Sequence, residues 1–525
     1  MRRLLVFLGV AGGILGIVAL ANWWVDPFGQ FYRGTSALRA AARADPPCLI
    51  SNDLIGGSSY LRFKEDVFRL RQARTVVLGS SRVLKIGSNP GERSFANLGV
   101  PQVSLDQILG LVRTLARETP RTRPLTLYLG VEFFWFNPEF KPFTFGSSVS
   151  GRLRYLLSWS TLKETAKLLR RGRTLALERG RRRFEIHGTC VLGRESPALA
   201  WRPDGTRVYS FELDPHGYRP PKLPFTTDID TLRAGVYAGF HGFDSKLLGV
   251  LDDLLDLASR RGWRVVGFAP PDATRYARLF ASSPRTRVAW EAFGNTVPQA
   301  FARHGYPFLD LRDVRSVPCA QDDFVDDGFH TDARCSARLR RLLDAAATAR
   351  PAAVALGDSV TAGNLAPPSW TQLVGRRLGR PVLNDGVDGA TTGGLLARSR
   401  VALATDAPAV VVFGGGNDAK LGIPPARTLA NLSRLFARVR QVGRTPVLVG
   451  PLPRADVSPE RLAALRAAVR RLAARAGVRF VDPWPALVDP RRPGRLAPGL
   501  TADGVHPNER GTQLIARAIA PALER

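Results

Sequence analysis

A chain of 525 residues exceeds what one hydrophobic core usually supports, so two or more domains are expected, and its hydrophobic content of 45% is ordinary for globular protein. The net charge of +30 would favour nucleic acid, anionic lipid or acidic glycan as partners. No nucleic-acid motif accompanies that charge and the basic residues are dispersed, so nucleic-acid binding is not expected; a solvated, arginine-rich surface is the plainer reading.

Residues 1–25 bear on where the protein works. Arg2 and Arg3 precede an uncharged run over 4–25 that ends at Asp26. About 20 apolar residues make a helix of about 30 Å, enough to cross a bilayer. Positive charge stays on the cytoplasmic side, which puts the rest of the chain outside, in the periplasm or at the cell surface. Trp23 and Trp24 fall where the far interface would be, as membrane-belt aromatics do. These features favour an uncleaved anchor, although Ala19-Leu20-Ala21 also suits cleavage of a signal peptide. Residues 26–49 then act as a connector. Cys48, Cys190, Cys319 and Cys335 suit one or two disulfides outside the cytoplasm, or buried free thiols, with connectivity open. No His/Cys grouping suggests a metal and no glycine-rich phosphate loop suggests a nucleotide, so no cofactor is expected.

The first folded region, 50–345, opens with the buried-strand run Thr75-Val76-Val77-Leu78, followed by Gly79-Ser80-Ser81-Arg82. Asn97-Leu98-Gly99-Val100 comes next, then an amphipathic helix over about 105–117 and a strand, 125–131, that leads into Glu132. An insertion at about 145–245 carries Arg170-Arg171-Gly172-Arg173 and Arg179-Gly180-Arg181-Arg182-Arg183, with Trp159, Trp201 and Tyr209 nearby. It reads as a solvated helical insertion, or else as a lid or a site for anionic glycan or headgroups. The region resumes with a helix near 245–260 and a strand over 263–268, and closes on Asp327-Gly328-Phe329-His330 before a helical run over 333–343. The alanine-rich stretch 346–351 is the expected linker.

Residues 352–525 alternate strands and helices, the pattern of a parallel sheet covered on both faces. The run Ala352-Ala353-Val354-Ala355-Leu356 leads into Gly357-Asp358-Ser359-Val360-Thr361-Ala362-Gly363. A serine there sits at the carboxyl edge of the sheet, where such folds place their ligands. Two further blocks follow strands at that edge: Asn384-Asp385-Gly386-Val387-Asp388-Gly389, and Gly415-Gly416-Asn417-Asp418. The last block, Asp503-Gly504-Val505-His506, supplies a base and a carboxylate to orient it, which are what a serine needs to become a nucleophile.

In these four blocks, in this order, residues 351–525 resemble the SGNH hydrolases, or GDSL esterases and lipases. The resemblance implies a flavodoxin-like three-layer α/β/α fold and a Ser359–His506–Asp503 triad. It also implies an oxyanion hole from the N–H groups of Ser359 and Gly389 and the side chain of Asn417, with no metal. The first region repeats the blocks as GSS, NLGV and DGFH, so it resembles a second, diverged SGNH-like domain of the bacterial cell-surface polysaccharide type. Ser81, Asp327 and His330 are its candidate site. Glu132 stands where that pattern wants an amide, which leaves this copy to bind or to use another donor.

The expected architecture is therefore two tandem flavodoxin-like domains behind a transmembrane helix. The expected function is hydrolysis or transfer of acyl esters, such as glycan O-acetyl groups or lipid esters. The competing readings are a polysaccharide assembly or binding protein with one or both sites vestigial, and a thioesterase or lysophospholipase.

Overall fold

The structure, a computed structural model, describes residues 2–27, 34–55, 59–143, 149–170, 182–193, 199–213, 225–314, 317, 319–320, 323–325, 328–348, 350–363, 368–405 and 407–524. The chain divides into two compact units, one of Met1–Ser104 with Pro142–Leu223 and one of Leu105–Lys141 with Pro224–Arg525.

In the first unit the helix Arg2–Val25 carries the apolar span Val6–Val25, of mean hydropathy 2.0, almost uncovered by protein. Its end is the exception: Asn22, Val25 and Asp26 are buried. The insertion is only half helical. A hairpin of helices Val149–Leu157 and Trp159–Arg170 gives way to four short strands. These join Leu49–Ser51 in a five-stranded sheet of order Arg182–Ile186, Thr189–Gly193, Leu49–Ser51, Leu199–Trp201, Arg207–Tyr209. Leu49–Ser51 runs parallel to Thr189–Gly193 and every other pair is antiparallel. Leu199–Trp201 and Arg207–Tyr209, at three residues each, leave too little alternation to be read in sequence, whereas in the fold Val191, Ala200 and Val208 pack as one apolar face. Cys48 and Cys190 form a disulfide across this sheet. Thr75–Leu78 and Phe95–Asn97 pair in parallel elsewhere in the unit.

In the second unit Thr126–Gly130, Arg264–Ala269 and Phe308–Asp310 are parallel neighbours in that order. Cys319 and Cys335 are joined. The helix Ala333–Thr348 takes in the first half of the expected linker, 346–348, because alanine is the best helix former.

The rest of this unit is a second parallel sheet of five strands: β1 (Ala353–Gly357), β2 (Val382–Gly386), β3 (Ala409–Phe413), β4 (Thr445–Val449) and β5 (Arg479–Val481). Their order is β2-β1-β3-β4-β5. This is the flavodoxin-like order, in which the chain reverses direction across the sheet beside β1. Near-continuous runs of Val, Ala, Leu and Phe are what strands buried on both faces require. Alternate residues feed two cores. Val354, Leu356, Val410 and Val412 pack with Leu432, Leu435 and Phe436 on one face. Ala353, Ala355, Val411 and Phe413 pack with Trp370, Val374 and Ile515 on the other. Each fully buried Val or Leu contributes about 1.5–3 kcal/mol. Helix ends are set locally: Ser369, Ser458 and Asn508 each accept a backbone N–H of the first turn.

Candidate functional site

Every candidate residue of the second unit's C-terminal sheet follows a strand's carboxyl end or lies in the loop before the last helix. Ser359 opens the four-residue helix Ser359–Ala362 directly after β1. Asp358 caps that helix, its Oδ1 accepting the Val360 N–H at 3.1 Å. The first N–H groups of a helix have no carbonyl within the helix to bond, so the Ser359 N–H points outward as a donor. Strand β2 can approach this turn only because Gly386 has no side chain: a Cβ there would overlap the backbone of Thr361 and Ala362.

Ser359 Oγ lies 3.1 Å from His506 Nε2, and His506 Nδ1 lies 2.6 Å from Asp503 Oδ2. The other Asp503 oxygen accepts the N–H groups of His506 at 2.7 Å and Val505 at 2.8 Å. Partial burial pushes the Asp503 carboxyl up. The His506 ring and these two N–H groups outweigh that and hold it well below the usual carboxylate range. As a carboxylate Asp503 only accepts, so the His506 proton belongs on Nδ1 and Nε2 faces the serine as an acceptor.

Asn417 is buried on the short helix after β3, and its Nδ2 donates to the Ala390 carbonyl at 3.0 Å. One amide hydrogen is thereby used and one is left for a ligand. Gly389, with φ +69°, precedes Ala390, so its turn and the Asn417 amide are neighbours. Asp418 ties the same pieces together by accepting the Thr392 N–H at 2.9 Å and the Thr428 hydroxyl at 3.2 Å.

Two residues of the site escaped sequence reasoning. Arg454, after β4, grips Asp456 with Nε–Oδ1 2.6 Å and Nη2–Oδ2 2.8 Å, and its Nη1 reaches Asn417 Oδ1 at 3.4 Å. A basic residue just beyond a strand's carboxyl end was the available signal. Asn384 donates from Nδ2 to the Thr361 carbonyl at 2.8 Å, and its Oδ1 accepts the Gly386 N–H at 3.0 Å. The first unit repeats this arrangement. Asn97 Nδ2 donates to the Val83 carbonyl at 2.7 Å and Oδ1 accepts the Gly99 N–H at 2.9 Å. In both cases the carbonyl belongs to the second residue after the block's serine and the N–H to the second residue after the asparagine.

The remaining candidates of the first copy are divided. Ser81 begins a short helical turn in the first unit, His330 is buried in the second, and Asp327 lies outside the described residues. Of the two arginine clusters only Arg170, Arg182 and Arg183 are described. No group of three or more His, Cys, Asp or Glu among the described residues could hold a metal ion.

The hollow at Ser359 is small, about 20 Å³, and is bounded by Val360, Phe413, Pro451, Leu452, Arg454 and His506. A cavity of about 210 Å³ lined by Phe308, Leu342, Gly375 and Val382 contains none of the candidate residues. Val382 begins β2, so that cavity sits at the sheet's opposite, amino edge.

Two buried carboxyls flank the serine turn. Burial pushes both Asp358 and Asp385 up to about 6, against the pull of Val360 N–H, Arg454 and His506 on the first and of Arg398 and Arg303 on the second. One Asp385 oxygen has no hydrogen-bond partner among the described residues. A carboxyl held protonated by the fold stabilises it below the unfolded value of 3.8, and that contribution is lost as pH rises through about 6. The roughly 2-unit rise is worth about 3 kcal/mol. Asp385→Asn, which cannot ionise, is therefore expected to flatten the loss of stability between pH 4 and 7 and to raise the urea midpoint at pH 7. Identical pH profiles for the two proteins would refute this.

Residues 355–514 match the GDSL-like lipase/acylhydrolase family. The chain is 29% identical over 177 residues to esterase TesA of Pseudomonas aeruginosa, covering 32% of this chain and 86% of that protein. It is 34% identical over 115 residues to an arylesterase of Vibrio mimicus, covering 20% of this chain and 58% of that protein, little more than half its length. A crystal structure of TesA aligns with 26% identity over 33% of this chain and 97% of that one, with a TM-score of 0.30.

Proposed function

Residues 355–514 belong to the GDSL-like lipase/acylhydrolase family, and on that premise we propose that the protein is a serine ester hydrolase in which Ser359 is the nucleophile. The observation that carries this reading is the unbroken line Ser359 Oγ, His506, Asp503, at 3.1 and 2.6 Å. In the first step Ser359 Oγ bonds to the ester carbonyl carbon while His506 Nε2 takes the hydroxyl proton. The carbonyl oxygen becomes an oxyanion facing the N–H groups of Ser359 and Gly389 and the free Asn417 amide hydrogen, donors fixed before the charge develops. His506 then gives its proton to the departing alcohol, leaving an acyl-serine. Water, deprotonated by the same nitrogen, attacks that acyl-serine and releases the acid. Asp503 fixes the imidazole tautomer and stabilises the imidazolium throughout.

The substrate class is an acyl ester, such as an O-acetylated glycan or a lipid ester. The helix Arg2–Val25 is read as a membrane anchor with both units outside the cytoplasm, a location that the two disulfides suit. The first copy is read as a diverged duplicate that binds or positions rather than cleaves. The matched Asn97 and Asn384 bonds support the duplication, and Glu132, buried where an amide is wanted, supports the loss of cleavage.

The test is a serine-reactive fluorophosphonate probe on the full chain, with the adduct mapped by peptide mass. The expected result is one adduct, on Ser359, absent from Ser359→Ala. A protein that turns over p-nitrophenyl acetate yet labels elsewhere would sink the assignment, and labelling of Ser81 would overturn the binding role given to the first copy.

A further inference from the structure

The hairpin of helices Val149–Leu157 and Trp159–Arg170 has an outward face that is hard to reconcile with water. Trp159 is 76% exposed, Leu153 54% and Leu157 45%, all within one turn of chain reversal. Single exposed apolar residues are ordinary on a soluble surface, but three within seven residues, one of them a tryptophan, point to an interaction site. The inward face is the opposite in character. Thr161 and Thr165, one helical turn apart, are buried.

What they are buried against is the end of the apolar helix Arg2–Val25. Thr165 Oγ1 donates to Asn22 Oδ1 at 2.8 Å, Asn22 Nδ2 donates to the Leu156 carbonyl at 2.7 Å, and Tyr155 OH donates to Asp26 Oδ1 at 2.8 Å. Small residues that allow close helix approach, with a polar side chain bonded across the contact, are how helices pack in and beside membranes. The bonds fix the hairpin at the end of the span marked by the half-exposed Trp23 and Trp24, the residue type that settles at headgroup depth. The exposed apolar face and those tryptophans thus belong to the same end of the same helix. The hairpin's polar positions are largely basic, with Arg154, Lys163, Lys167 and Arg170 exposed, the charge that an anionic surface attracts.

We infer that the hairpin 149–170 lies in the headgroup layer of a bilayer with Trp159 and Leu153 in its apolar margin, beside the segment Val6–Val25. This rests on reading Val6–Val25 as a membrane span. The hairpin makes the first unit a two-point membrane device, one element crossing and one lying flat. It also gives Asn22 a role: a polar residue near the end of an apolar span that is bonded to folded protein instead of facing lipid.

The test places a photo-crosslinking amino acid at Leu8, Trp159 or Val288 of the full chain. All three are exposed, so replacement disturbs no packing. Each protein is reconstituted in vesicles of phosphatidylethanolamine and phosphatidylglycerol and illuminated. Lipid adducts at positions 8 and 159, each several-fold above position 288, are the expected result. An adduct at 8 with none at 159 overturns the hairpin inference while leaving the anchor in place. Loss of the adduct at 8 as well as at 159 removes the membrane reading itself. An adduct at 159 to a second copy of the chain also overturns the inference, because the patch would then be a protein interface. A lipid adduct at 159 without one at 8 overturns it too, because the span beside which the hairpin is placed would not lie in the bilayer.

Discussion

Ser359→Ala is expected to lower kcat for a short acyl ester by about 10⁴- to 10⁶-fold, with the chain still folded. The serine contributes the bond that makes the acyl intermediate, and its Oγ lies 3.1 Å from His506 Nε2. Residues that act as a unit are not additive. His506→Ala should therefore cost about as much as Ser359→Ala, and the double mutant little more than either. Asp503→Asn should cost about 10⁴-fold, because an amide can present a hydrogen to Nδ1 and so stabilise the tautomer with the proton on the wrong nitrogen. Steady-state kinetics on p-nitrophenyl acetate measure all four. If Ser359→Ala keeps a tenth of the parent rate, another nucleophile is at work.

Asn417→Ala should lower kcat by about 10²–10³, or about 2.7–4 kcal/mol of transition-state stabilisation, and leave KM nearly unchanged. The amide has little to offer the neutral ester and a full hydrogen bond to offer the oxyanion, so its removal is felt in the chemical step. Asn417→Asp should be worse than alanine, since it sets a carboxylate against the developing negative charge. An equal rise in KM with kcat unchanged would instead make Asn417 a substrate-binding residue and remove it from the oxyanion site. Arg454 Nη1, 3.4 Å from Asn417 Oδ1, holds the oxygen end of that amide.

How far the sequence could be read depended on how local each feature is. The parallel sheet of 353–481 announced itself because strands buried on both faces must be apolar throughout, as Val410, Val411 and Val412 are. Ser359 and Asn417 stand out as candidates because each follows an aspartate or glycine just after a strand, and His506 because Asp503-Gly504 precedes it ahead of the last helix. Asn384 was quoted in its block yet not given a role. Its work is done through the Thr361 carbonyl, 23 residues away, which spacing alone does not reveal. Arg454 was missed for the same reason: its meaning lies in Asn417 and Asp456, on a different loop and on its own. Residues 346–348 of the expected linker are helical, because an alanine run serves a helix as readily as a hinge. Of the strands at 182–209, Leu199–Trp201 and Arg207–Tyr209 stayed hidden because three residues carry hardly one period of a two-residue repeat, and the sheet's central strand, Leu49–Ser51, was written more than 130 residues earlier.

That last separation orders events on the ribosome. Leu49–Ser51 lies in the middle of its sheet, with Val191 beside Leu49 on one flank and Trp201 beside Ile50 on the other. At translation speeds of about 5–20 residues per second, the strand waits roughly 8–30 seconds for both neighbours to be made. Cys48 waits with it, because Cys190 arrives 142 residues later. During that interval Arg2–Val25 is already complete. If it enters the membrane as soon as it emerges, the first unit must close its sheet and its disulfide while tethered at one end and still growing at the other. The 353–481 sheet has no such delay, since each of its strands finds a neighbour within about 60 residues of being written. The last third of the protein to be made is the part whose sheet can close soonest after it appears.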